Sequence, residues 1–97
     1  MNLTLHPAAE RDVLEAAEFY EREGSPALAA RFVREFRRLC EFLLAHPEVG
    51  STRRGDKRGF AMSIFPFTVI YRILTHEVRI LVVKHDKRSV RYGGSRT

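Results

Sequence analysis

An α+β domain, with a helical hairpin packed on a mainly antiparallel β-sheet, is the fold class this sequence predicts. Three observations carry the prediction. Apolar side chains recur at helical spacing in the segments that open at Pro7 and Pro26. β-branched and aromatic residues dominate residues 60–85, in runs broken by Pro66 and by Thr75-His76-Glu77. A short alternating stretch precedes both. The expected order is one short strand, two helices, three strands and a basic tail, within one domain of residues 1–97.

The first strand is expected over Asn2 to His6, where Leu3 and Leu5 share one side. Pro7 suits the first turn of a helix, because its missing N–H would have no partner there. Ala9, Val13, Ala16, Ala17 and Tyr20 form the apolar stripe of that helix. Glu10, Asp12, Glu15, Glu18, Glu21 and Glu23 read as its solvated face. Gly24 ends the helix, and Ser25 is placed to cap the next one ahead of Pro26.

The second helix is expected from Pro26 to Ala45, ending before Pro47. Its stripe is Leu28, Phe32, Phe36, Leu39 and Leu43, widened by Val33, Cys40 and Leu44, with four arginines outward. Residues 47–59 hold three glycines and four basic residues and read as an exposed loop. Strands are then expected over Phe60–Phe65, Phe67–Leu74 and Val78–His85. In the second of these, Phe67, Val69, Tyr71 and Ile73 alternate onto one side. The unbroken Ile80-Leu81-Val82-Val83 centre of the third implies burial on both faces. The tail, Asp86 to Thr97, is basic, and its Gly93-Gly94 pair reads as mobile.

Composition narrows the function. An apolar fraction of 44% is that of a folded globular chain rather than a disordered one. The one cysteine, Cys40, rules out an internal disulfide, falls on the apolar face of the second helix and reads as an inert thiol. His6, His46, His76 and His85 show no paired spacing, so neither metal nor cofactor is expected. The start of the chain lacks the apolar core of a secretory signal, and Ile80–Val83 is far too short to span a bilayer, so a cytoplasmic protein with no membrane partner is expected. Charge is the most informative property. Residues 1–50 hold six Lys/Arg and nine Asp/Glu, whereas residues 51–97 hold eleven Lys/Arg and three Asp/Glu, giving balances of −3 and +8. So lopsided a basic half marks a surface for nucleic acid or for an acidic partner.

Three strings then stand in a telling order: LLAHPEVGSTRRG, IFPFTVIYRI and VRILVVKHDKRSVRY. Together they resemble the RelE/ParE toxin superfamily of type II toxin–antitoxin systems. In that family a helix ending in His-Pro-x-x-Gly leads into a basic loop. A Phe-Pro-aromatic strand ending in Tyr-Arg follows, and the last strand closes on His-x-x-Arg with a tyrosine after it. Here the matching residues are His46-Pro47 with Gly50, Phe65-Pro66-Phe67, Tyr71-Arg72, and His85, Arg88 and Tyr92. The chain departs from the pattern in lacking the proline and tryptophan that often accompany the closing tyrosine. It also carries uncharged Thr68 near where ribonuclease members place an arginine. Its long helices and Pro-Glu-Val-Gly turn resemble the ParE branch.

The resemblance implies a growth-inhibiting toxin neutralised by a cognate antitoxin, whose wrapping segment folds on binding. In the ParE-like mode the target is DNA gyrase and no catalytic group is needed. The target-binding surface would then be Arg53, Arg54, Lys57 and Arg58 in the loop with Lys87, Arg88 and Arg91 in the tail. In the alternative RelE-like mode the chain is a metal-independent endoribonuclease acting on mRNA at the ribosome. Such a reaction needs cations for the phosphorane and a group to handle the 2′-OH proton. Arg72, His85, Arg88 and Tyr92 are its candidates, with Lys84, Lys87 and Arg91 as further cations. A third reading is a non-toxic basic nucleic-acid-binding module. Against each role stands a plainer one: His85 bonding backbone at a strand end, Arg72 pointing outward, Tyr92 packing the tail on the sheet, and the basic loop merely solvated.

Overall fold

The computed structural model describes residues 1–97. The helices run Pro7–Glu23 (α1) and Pro26–Ala45 (α2), and both open on the expected proline. His6 caps α1 through Nδ1, which accepts from the Ala8 N–H at 3.0 Å. Ser25 caps α2, its Oγ accepting from the Leu28 N–H at 3.0 Å. Each cap satisfies an amide that the first helical turn leaves without a partner.

Five strands form one sheet: β1 (Asn2–Leu5), β2 (Ser51–Arg53), β3 (Lys57–Ala61), β4 (Phe67–Ile73) and β5 (Glu77–His85). They lie in the order β1-β5-β4-β3-β2, with β1 parallel to β5 and every other pair antiparallel. The basic loop is therefore not open loop. After a short 3₁₀ turn at Pro47–Val49 it folds into the β2–β3 hairpin, with Arg53 opposite Lys57. The turn between them places Gly55 at φ 76° and Asp56 at φ 57°, backbone that glycine and aspartate tolerate best. β3 also begins and ends earlier than the expected Phe60–Phe65 strand. Glycines and cations disguised the hairpin, because they carry no period-two apolar signal.

The helices cover one sheet face. Phe32, Phe36, Leu39 and Leu43 of α2 meet Val69, Tyr71, Val78, Ile80 and Val83, and Phe65 and Phe67 close the cluster against Tyr20. A register shift between Ile70 and Tyr71 pairs Ile70 with Val82 but Tyr71 with Ile80, so Leu81 is the extra residue of a bulge. The bulge splits the apolar run of β5. Ile80 and Val83 join the helix-side core, whereas Leu81 and Val82 join Ile70 in a second, smaller cluster on the opposite face. That opposite face has no helix over it. Part of it is covered by the chain terminus, since Tyr92 packs on this cluster.

Candidate functional site

β1 pairs with β5 only from Glu77 to Ile80, so Leu81–His85 has no strand beside it on that edge. A side chain of α1 takes the strand's place. Asp12 is 6% exposed, and its Oδ2 accepts from the Val83 N–H at 3.0 Å. The same carboxylate receives the Tyr92 hydroxyl at 2.7 Å and the Arg96 guanidinium at 2.6 Å. Arg96 also donates to the Leu81 carbonyl at 3.1 Å, and the Arg88 and Arg96 guanidinium carbons lie 4.5 and 5.0 Å from the centre of the Tyr92 ring. Burial disfavours the charge on Arg96, but hydrogen bonds to Asp12 and Tyr92 and the charge of Asp12 outweigh it and raise its pKa. Further along, Lys57 donates to the Gly94 carbonyl at 2.8 Å and Arg79 to the Thr97 carbonyl at 3.2 Å. The tail expected to be mobile is thus tied to α1, β3 and β5.

Asp12 was expected on the solvated face of its helix, and the structure corrects this. The clue was present in the spacing: Asp12 stands three residues after Ala9 and four before Ala16, inside the apolar stripe. Its partner Arg96 gave no signal, because nothing local links it to a residue 84 positions earlier.

Two grooves flank this latch. The first, about 470 Å³, runs between α1 and the end of β5, with Phe19, Tyr20 and Phe67 as its apolar part. Asp12, Glu15, Arg22, His85, Lys87 and Arg88 give it mixed charge. Phe19 is 49% exposed here, with the Arg22 guanidinium carbon 5.9 Å from its ring centre. The second groove, about 500 Å³, lies on the helix-free face and is lined by Arg53, Arg54, Lys57, Lys84 and Arg91. No carboxylate lines it.

The structure divides the seven basic target-binding candidates. Arg53, Arg54, Lys57 and Arg91 share the second groove, whereas Lys87 and Arg88 line the first. Arg58 faces elsewhere: its Nη1 donates to the carbonyls of Glu48 and Gly50 at 3.0 Å each, holding the turn after α2. Of the ribonuclease candidates, His85, Arg88 and Tyr92 line the first groove, and Arg72 does not. Arg72 sits opposite Lys57 and donates to the Gly55 carbonyl at 2.9 Å. His85 Nδ1 accepts from the Lys87 N–H at 3.1 Å, and its ring packs edge-on to Phe67. Thr68, where an arginine would favour nuclease chemistry, donates to Asp86 at 2.8 Å.

Comparison with known proteins adds family to geometry. The model of the ParE toxin of the type II toxin–antitoxin system, parDE, matches residues 3–90. Among solved structures, a chain from "Chromosomal ParDE TA system from P. aeruginosa" has the same fold, with a TM-score of 0.78 at 20% identity. That alignment covers 88% of this chain and 95% of the other. No curated protein matches in sequence.

Proposed function

The chain belongs to the ParE toxin family of type II toxin–antitoxin systems, and from that membership we propose that it arrests growth by inhibiting DNA gyrase without catalysis. What supports the non-catalytic mode is how the polar atoms a nuclease would use are engaged. The Tyr92 hydroxyl is committed to Asp12, His85 Nδ1 to a backbone amide, and Arg72 lies apart at the hairpin turn. A general base and its cations need to meet at one reacting centre. Here His85, Lys87 and Arg88 share the first groove, but Arg72 is held at the hairpin and the Tyr92 hydroxyl is taken by Asp12, so the set is incomplete. A protein target instead asks for exposed, charged and shaped surface, and the hairpin and tail supply it.

Membership also implies a cognate antitoxin, and we place its wrapping segment against α1. There the exposed Phe19 and the groove between α1 and the end of β5 offer apolar contact and charged partners to such a segment. An acidic segment would complement the basic half of the toxin. No helix is long and apolar enough to cross a membrane, and both proposed partners place the toxin in the cytoplasm.

Pulse-labelling of DNA and protein synthesis after induction tests the target. DNA synthesis is expected to fail first, and purified toxin to inhibit gyrase supercoiling. Collapse of protein synthesis with DNA synthesis intact, relieved by His85→Ala, would replace this reading with the ribosome-dependent one.

A further inference from the structure

We infer that the helix-free face carries a phosphate-binding site centred on Lys84. This goes beyond gyrase inhibition and requires neither gyrase nor an antitoxin. Lys84 stands opposite Thr68 in the β4–β5 ladder, lines the second groove, and is 8% exposed. The chain's two ion pairs are Arg38–Glu35 and Arg96–Asp12, so this ammonium has no carboxylate partner. It makes no side-chain hydrogen bond either. The nearest acid in sequence, Asp86, is engaged by Thr68. Its aliphatic stem is buried while its ammonium reaches the groove, so the charge faces that space with no carboxylate to balance it, and an anion would supply the missing partner.

The surroundings fit an anion. Arg53 and Lys57 flank Lys84's groove from the β2–β3 hairpin and Arg91 from the tail, with Ile70 and Val82 as the floor. Gly59 helps to shape it: the Arg53 guanidinium rests against the sheet at this glycine, where a Cβ would stand 2.6 Å from its Cζ and displace it. Donors thus approach from floor, hairpin and tail. A tetrahedral oxyanion presents oxygens to all three sides, whereas a carboxylate presents two oxygens in one plane. The ligand is accordingly a phosphate group, either in a free phosphate compound or along a nucleic-acid strand.

Thermal melting with pyrophosphate, and anisotropy with a fluorescent single-stranded DNA oligonucleotide, test the site on the full chain, its Lys84→Met variant and its Arg53→Ala variant. Pyrophosphate is expected to raise the Tm of the parent protein and to compete with the oligonucleotide. Lys84→Met is expected to melt no lower than the parent without phosphate, to lose the pyrophosphate shift, and to bind the oligonucleotide at least about tenfold more weakly. Arg53→Ala, a change at an exposed edge position, is expected to weaken both effects and keeps the test decisive should Lys84→Met not fold. A pyrophosphate shift without oligonucleotide binding supports the site and assigns it to free phosphate compounds. Equal behaviour of parent and both variants, or no pyrophosphate shift in the parent, overturns the inference. So does a shift produced by an oligoglutamate peptide but not by pyrophosphate. Gyrase supercoiling is read separately, so failure of either proposal leaves the other standing.

Discussion

Asp12 shows how much one carboxylate can hold when it is buried among donors. It replaces the strand missing beside Val83, anchors the tail through Tyr92 and Arg96, and lies where α1 meets both. Removing it strands a largely buried guanidinium and a strand-edge amide together. Asp12→Ala is therefore expected to cost about 3–5 kcal/mol, the range for breaking a buried ion pair from one side. Urea unfolding measures it, and a loss below about 1 kcal/mol would mean that water replaces the carboxylate easily. Adding Arg96→Met to Asp12→Ala should restore part of the loss, because the second change removes the orphaned charge. Tyr92 belongs to the same unit, which makes its plainer role, packing the tail on the sheet, the one the geometry supports.

At the scale of elements, the join between α2 and the β2–β3 hairpin rests on Tyr71. Its ring is fully buried; its hydroxyl donates to the Pro47 carbonyl at 2.6 Å and accepts from the Gly50 N–H at 2.9 Å. Tyr71→Phe leaves both backbone groups without that partner and is expected to lower stability by about 1–3 kcal/mol. Gly50→Ala should cost more, since a Cβ would stand 2.6 Å from the same hydroxyl and 3.0 Å from the Gly59 carbonyl. Equal stability of Tyr71→Phe and the parent in a denaturant titration would count against this bracket. Within α2, burial, aided by the charge of Glu41, pushes the Cys40 thiol up to about 12. Its thiolate fraction at pH 8 is then on the order of 10⁻⁴, and iodoacetamide should modify it only after unfolding. The sign also sets a pH trend. The folded chain holds this proton more tightly than the unfolded chain, whose thiol titrates near 9.0, so the associated stability is full below pH 9 and fades as pH rises towards 12. Rapid labelling of the native protein at pH 8 would contradict both statements.

Over the whole molecule, the dominant property is the separation of charge, −3 in the first half of the chain and +8 in the second. The sheet turns that linear asymmetry into a spatial one by bringing the hairpin, the end of β5 and the tail around one helix-free groove. Such a field speeds encounter with an acidic target and is screened by salt. Reversing the charge of Arg53, Arg54 and Lys57 together is expected to weaken gyrase inhibition, with a larger effect at low ionic strength than at high. His85→Ala should leave it intact. Inhibition that survives the charge reversal unchanged at low salt would remove the hairpin from the target-binding surface.

The sequence by itself determined the local half of this protein. Helical spacing from Pro7 and Pro26, the Ser25 cap, and the alternation of Phe67, Val69, Tyr71 and Ile73 are short-range patterns, legible because each element's periodicity is imposed by its own backbone. The family's strings were legible for the same reason. Tertiary structure decided what depends on distant partners. It paired a glycine- and arginine-rich stretch into the β2–β3 hairpin, because strand pairing there rests on backbone bonds rather than on an apolar face. It buried Asp12 by bringing Arg96 and Tyr92 to it, and it left Lys84 with no counter-charge. Burial of a charged group is favourable or costly according to the charges that the fold delivers to it, and no window of neighbouring residues contains that information.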